Sequence, residues 1–233
     1  MINIQRTIGI LACGLGAVAA SPSAFAEAES GFYLGLAAGQ AKYDLSQNDL
    51  DDLVFSTFSD QGFPVLSGSS TLEDQDTAWS IVGGYRLNPY LALEATYVSL
   101  GTAEYRSSGL VNPPGPVTSL PVSIDFDFES SGFTTVGIGS IPVGDNFELH
   151  GRLGILFSES EVSISTTVGS GRSSQSLTSS AVDFVYGLGA AFHIDSYWSL
   201  GLDAVRYADV GDDDDTEETD IDVLSLSVIY RFL

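Results

Sequence analysis

What most constrains this chain is a two-residue hydropathy period that returns in segment after segment. In Phe147–Ser158, Phe147, Leu149, Leu153, Ile155 and Phe157 alternate with Glu148, His150, Arg152, Gly154 and Ser158. In Tyr197–Tyr207, Trp198, Leu200, Leu202 and Ala204 alternate with Ser199, Gly201 and Asp203. Period two is the signature of extended chain whose two faces meet different surroundings. The same scheme marks Phe32–Ala41, Thr77–Arg86, Leu91–Ser99, Val182–His193 and Asp222–Phe232, and residues 132–141 are strand-like although glycines blur their faces. Eight strands are therefore expected. Short turns at 87–90, 142–146 and 194–197 alternate with long polar stretches at 43–75, 104–128, 159–178 and 208–220, which read as loops of an antiparallel meander.

The identity of the two faces decides the environment. The apolar face is the aromatic one, bearing Trp79, Tyr97, Phe157, Tyr186, Trp198, Tyr230 and Phe232. The opposite face carries Glu94, His150, Arg152, Asp183, Asp203 and Arg231. Such charges do not pack into a soluble core, because a buried unpaired ion costs several kcal/mol. A soluble barrel keeps apolar side chains inside, whereas a membrane barrel turns them toward lipid. Closure is obligatory in lipid, since an open sheet edge leaves backbone groups unsatisfied. The expectation is an all-β, eight-stranded antiparallel up-and-down transmembrane barrel.

Residues 1–26 read as a cleavable signal peptide: Arg6, the apolar run Ile8–Ala20, then Ala24-Phe25-Ala26 with cleavage before Glu27. Residues 27–233 then form one barrel domain. Acylation of Cys13 would be the competing fate of this segment, but Leu11 sits where lipoprotein signals prefer a small residue. The chain has 8 bases against 31 acids, which excludes a nucleic-acid partner because phosphate binding needs clustered Lys and Arg.

The tract Gly83-Gly84-Tyr85-Arg86-Leu87-Asn88-Pro89-Tyr90, continuing through Glu94 and Tyr97 to Leu100-Gly101, resembles the OmpA/OmpX-like family of eight-stranded outer-membrane barrels. Arg152-Leu153-Gly154 and the run Leu224–Phe232 are similar to it as well. The resemblance implies an outer-membrane location, lipid and lipopolysaccharide as surroundings, and Tyr230 and Phe232 as an assembly signal read by the barrel-assembly machinery. It also implies that Glu94, matching an interior glutamate, and Arg152, matching an interior arginine, form an ion pair in the lumen. Two departures are that Ser227 replaces a usual glycine and that Leu233 follows the final Phe. A third is Gly201, which stands where the family's gate has a seventh-strand arginine.

The lumen face supplies the candidate site: an ion-pair network of Glu94, Arg152, His150 and Asp203 that plugs a narrow barrel. Eight strands give an interior that side chains roughly fill. The acidic run containing Asp212, Asp213, Asp214 and Asp215 is a weak candidate for Ca²⁺ or Mg²⁺, without the spacing or glycine of an EF-hand. No catalytic motif surrounds His150 or His193, so neither an enzyme nor a cofactor is expected. The leading function is a structural, envelope-integrity barrel with surface-exposed loops, a monomer whose partners are outer-membrane lipid and lipopolysaccharide and, during biogenesis, the barrel-assembly machinery. The alternatives are a narrow porin for ions or small solutes, and a loop-mediated adhesin using Phe55, Phe58, Phe63 and Pro113-Pro114.

Overall fold

In the computed structural model, which describes residues 30–60, 62–112, 119–211 and 219–232, antiparallel pairing closes a sheet on itself. The elements are β1 (Gly31–Tyr43), α1 (Gln47–Asp60), β2 (Val65–Glu73), β3 (Gln75–Asn88), β4 (Leu91–Val111), β5 (Leu120–Val143), β6 (Phe147–Val168), β7 (Gly171–His193), β8 (Trp198–Val210) and β9 (Thr219–Arg231). The ring runs β1–β3–β4–β5–β6–β7–β8–β9 and returns to β1. Strand β2 also pairs with β4, above β3, so β2 and β3 act as one barrel strand interrupted at Asp74. The eight-stranded up-and-down barrel is thus the architecture the alternation demands. The expected signal segment with Cys13, Pro113-Pro114, Asp212–Asp215 and Leu233 lie outside the described residues.

Side chains that face outward in the lower barrel are apolar and uncovered: Leu153 is 67% exposed, Phe184 67% and Leu188 73%. In water such a surface would be prohibitive, but against hydrocarbon it is the required exterior. Aromatic pairs flank the band. Trp79, Tyr97 and Phe133 form one chain of contacts, with centroids 5.6 and 5.0 Å apart. At the short-turn end, Tyr230 meets Tyr197, Trp198 and Phe232, while Phe147 packs on Phe192 and Phe32 on Tyr85. Those turns are tight because side chains cap them: the Asp195 carboxylate accepts from the Tyr197 and Trp198 amides, both at 2.7 Å, and Asn88 accepts from Tyr90 N at 2.8 Å.

At the other end the structure corrects the loop assignment. The stretches 104–128 and 159–178 are mostly strand, and 43–75 contains α1 and β2. The described residues of 104–128 and 159–178 are therefore extensions of strands that leave the membrane. The reason lies in a change of face. Within the lipid band of β6 the apolar residues point outward, but beyond Ser158 the inward positions Val162 and Ile164 are apolar and the outward Glu159, Glu161 and Ser163 are polar. β5 does the same, with Ile124, Phe126 and Phe128 inward against Asp125, Asp127 and Glu129. Averaged over both faces these segments look polar, although each is an amphipathic strand of opposite sense, as water outside the barrel requires.

On β4 the changeover is built into the backbone. Gly101 adopts φ +79°, and the β4–β5 register shifts between Ser99 and Thr102. This bulge moves the inward set from Ala92, Glu94, Thr96 and Val98 to Ala103 and Tyr105. The Asp76 carboxylate receives the Thr102 amide at 2.9 Å, and a Cβ at position 101 would meet Asp76 Oδ2 at 2.7 Å. The extension is one-sided: β4 to β7 run to 21–24 residues, whereas β1, β8 and β9 have 13 each. At ~3.3 Å per residue, residues 120–131 of β5 add roughly 40 Å of strand beyond the lipid band.

Candidate functional site

Two features inside the barrel carry chemistry: a charged layer low in the lumen, and a large cup above it. The strand pleat places Tyr33 on β1, Glu94 on β4, Arg152 on β6 and Asp203 on β8 all on the inner face. Arg152 Nη2 donates to Asp203 Oδ1 at 2.6 Å, and His150 Nε2 lies 2.7 Å from the same oxygen. Arg152 Nη1 is 3.8 Å from Glu94 Oε2, and the Tyr33 hydroxyl donates to Glu94 Oε1 at 2.8 Å. All four expected residues therefore share one cluster. Its short contacts, though, are Arg152–Asp203 and Tyr33–Glu94, and the Glu94–Arg152 contact is the long one.

A second cluster lies nearer the short turns. Arg86 forks onto Glu148, donating at 2.9 and 3.0 Å, and Ser140 Oγ donates to Glu148 Oε1 at 2.8 Å. His193 Nε2 sits 3.5 Å from Glu148 Oε2, with Ser199 Oγ 2.8 Å from the other ring nitrogen. Sequence reasoning did not select Arg86, Glu148 or Tyr33. The alternation puts all three on the lumen face, so parity alone would have found them, but nothing in the chain says which inward residues meet across the barrel. The serine, histidine and glutamate follow the order of a hydrolytic triad. Glu148 is nevertheless committed to Arg86, and Ser199 is 7% exposed.

Close packing makes the lumen narrow. Beside both clusters remains a cavity of about 80 Å³, room for a few waters. Arg152 Nε and Glu94 Oε2 have no hydrogen-bond partner within the protein, and both belong to residues that line this cavity. Above the charges the filling changes. Tyr43, Leu100, Phe128, Leu156, Val210 and Ile221 are each at most 3% exposed and form a hydrophobic plug. The Tyr43 hydroxyl donates to the Gly101 carbonyl at 2.7 Å, and its ring meets Phe128 edge-on at 5.8 Å. The alternation predicts a largely plugged, polar lumen. The ion pairs gather in the lower half, because the inward positions beyond the Gly101 bulge and in the upper parts of β8 and β9 (Val205, Tyr207, Ile221 and Val223) are apolar. Asp183, buried and in register with Leu156, is a charged side chain at the level of the plug.

The cup lies over this plug. The long strands form a half-wall, and α1 closes its open side. The Asp51 carboxylate fixes α1 by accepting from Tyr105 OH at 2.5 Å and from Ser70 Oγ at 2.9 Å, while Gln47 donates to Ser70. Burial, and after it the bond to Asp51, pushes the Tyr105 hydroxyl above its ordinary pKa, which keeps it a donor. Between helix and wall is a cavity of about 790 Å³. Leu50, Val54 and Phe58 line it from α1, and Ile124, Phe126 and Ile164 from the strands. Phe58 and Phe63 thus turn into the cup as half-buried side chains, and of the three expected surface aromatics only Phe55, at 48%, is exposed.

Among the described residues no group of three or more His, Cys, Asp or Glu side chains is arranged to hold a metal ion. Nor, among the described residues, is any helix long and apolar enough to cross a membrane. A family model described as the outer membrane protein beta-barrel domain matches residues 10–232. No curated protein matches the chain. Among solved structures, the chain is similar to Neisserial surface protein A, with 16% identity, a TM-score of 0.48 and coverage of 88% of this chain and 99% of that one. It is similar to Ail, the attachment invasion locus protein of Yersinia pestis, with 15% identity, a TM-score of 0.45 and coverage of 87% and 97%. The outer membrane protein OprG of Pseudomonas aeruginosa aligns at 12% identity and a TM-score of 0.39, over 87% of this chain and 96% of that one.

Proposed function

Because the chain belongs to the outer membrane protein β-barrel family and resides in the outer membrane, we propose that it is a non-conducting barrel whose work is done by its extracellular end. The observation that carries this reading is the double obstruction of the lumen. A charged layer closed by Arg152–Asp203 and Arg86–Glu148 lies beneath an apolar plug of Tyr43, Leu100, Phe128 and Leu156. An ion entering the lower half loses hydration without gaining a continuous polar path through the upper half. The barrel then serves as an anchor that holds the β4–β7 wall and α1 above the membrane. A contribution to envelope integrity follows from the anchor itself, and contact with surface partners follows from the wall.

No hydrolytic role is proposed for Ser199, His193 and Glu148, since the adjoining cavity of about 80 Å³ admits only a few waters. The test is single-channel recording of the refolded protein in planar bilayers. The expected result is no stable conductance in the wild type, with discrete openings only when Tyr43→Ala and Phe128→Ala, which remove the plug, are combined with Arg86→Met and Arg152→Met, which break the charged layer. Stable channels from the wild type would replace this reading with the narrow-porin alternative.

A further inference from the structure

We propose that the cup between α1 and the β4–β7 wall is a binding site for an uncharged, lipophilic small molecule captured from outside the cell. The inference deepens the reading of an extracellular working end and rests on it. Its size comes first: about 790 Å³ falls within the ~300–1,000 Å³ typical of sites for drug-sized ligands. Its lining comes second. Leu50, Val54, Phe58, Phe126, Ile164 and Leu177 dominate, and none of the described side chains lining the cup is charged. Polar handles are few: Thr57, Thr166 and Ser173 supply hydroxyls, and Tyr105 is already bonded to Asp51.

The cavity is also unfilled by the protein itself. The helix has no buried residue; Leu53 remains 56% exposed, and on the wall Ile164 is 38% and Leu177 42% exposed. Apolar side chains gathered around a concavity of this size, on strands whose outer face is polar, are placed for a ligand rather than for lipid contact.

Charge selects the ligand class. Acids prevail on the elements that bound the cup: α1 carries Asp49, Asp52 and Asp60, and the outer face of the wall carries Asp125, Asp127 and Glu161, whereas Arg106 and Arg172 are the bases in these segments. Arg106 is paired with Glu104. An anionic amphiphile such as a fatty carboxylate approaches through the negative field of these elements and finds no cation inside. A neutral molecule meets neither penalty. Beneath the cup the plug of Phe128, Tyr43 and Leu156 is closed, so the site is blind and captures its ligand without passing it through the barrel.

The experiment uses the full mature chain in lipid nanodiscs and two fluorescent probes with the same aromatic body. N-phenyl-1-naphthylamine is uncharged, and 8-anilino-1-naphthalenesulfonate carries a sulfonate. The expected result is saturable binding of the neutral probe above the background of empty nanodiscs, with the sulfonate about tenfold or more weaker. Ile164→Asp and Leu177→Glu place a carboxylate in the cup at exposed positions, and each should weaken the neutral probe about tenfold while heat-modifiable migration stays that of the folded barrel. Outside the cup, Leu153→Ala on the lipid face should leave binding unchanged. Absence of saturable binding, equal affinity for both probes, or indifference to the two cup variants would overturn the proposal. Conductance is independent of these readouts: an open channel with intact probe binding would sink the sealed-lumen reading alone, and a silent barrel without probe binding would sink the cup alone.

Discussion

A double-mutant cycle around Arg152 distinguishes the two carboxylates that share it. Arg152 Nη2 lies 2.6 Å from Asp203 Oδ1, and Nη1 lies 3.8 Å from Glu94 Oε2. The side chains of Arg152, Asp203 and Glu94 are 16%, 8% and 7% exposed, so solvent screens neither contact strongly. Removing one member of a buried pair costs ~3–5 kcal/mol, because the survivor stays buried and uncompensated. Arg152→Met should therefore destabilise by about that amount. Asp203→Asn keeps the shape but loses the charge that also faces His150, and it should cost about 2–4 kcal/mol on the same grounds. The informative quantity is the coupling. A direct charge-assisted hydrogen bond predicts about 2 kcal/mol between Arg152→Met and Asp203→Asn. The longer contact predicts about 1 kcal/mol or less between Arg152→Met and Glu94→Gln, since Glu94 also accepts from Tyr33. Equilibrium urea unfolding in lipid vesicles, followed by tryptophan fluorescence, measures all the corners. Equal couplings would refute the assignment of Asp203 as the main partner, and two negligible couplings would mean that the lower lumen is wet enough to screen its charges.

Four further outcomes follow from named contacts. Gly84→Ala should destabilise by ~1–3 kcal/mol in the same unfolding assay, because its Cβ would lie 2.2 Å from the Tyr33 ring and push the hydroxyl off Glu94. Tyr230→Ala or Phe232→Ala should lower the yield of folded barrel in cells more than Arg231→Ala, since Tyr230 joins three rings of the lower aromatic belt. Burial, and then repulsion from Glu104, raises the Asp127 carboxyl above its ordinary pKa, so its protonated form is favoured in the folded extension. This stabilisation is complete below the ordinary carboxylate range and is lost as pH rises through the raised value; limited proteolysis of the β4–β5 hairpin should be slower at pH 4 than at pH 7, and Asp127→Asn should reduce that difference. N-terminal sequencing of the exported protein should begin at Glu27, and an acylated Cys13 would overturn the signal-peptide assignment.

The parts of the fold that lie in lipid were legible because lipid imposes a strict rule. Every outward residue there must be apolar, so Leu149, Leu153, Ile155 and Phe157 announce both strand and direction. The extensions obey the opposite rule, and the inversion between Ser158 and Val162 has no local marker other than parity. A reading keyed to polarity saw Glu159, Glu161 and the serines and assigned a loop. Helix α1 was missed for another reason: its apolar stripe faces an open cup rather than a packed core, so Leu50, Val54 and Phe58 stand among Asp49, Asp51, Asp52 and Asp60 without a strong period. In the lumen, parity placed Glu94, His150, Arg152 and Asp203 inside. Register then decided that Asp203, rather than Glu94, takes the short contact with Arg152, and register depends on ring closure and tilt that no single strand encodes.

One-sided growth of the strands explains why the cup and α1 occur together. Had all eight strands continued upward, their inward apolar faces would have met and packed, as Tyr43, Phe128 and Ile221 do one layer below. With β1, β8 and β9 ending at 13 residues, the wall formed by β2 and β4 to β7 has no opposing strands, and its concave face is left without a partner. The helix supplies one, but only from the side and at a distance set by Asp51, whose carboxylate holds it at Tyr105 and Ser70. A helix docked for stability would bring its apolar stripe into the wall and bury it. Here the tether is polar and sits at the β2–β4 edge of the cup, and no helical residue is buried. The contacts that hold α1 are thus separate from the apolar surfaces that face each other across the cavity, an arrangement that preserves an opening of ligand size.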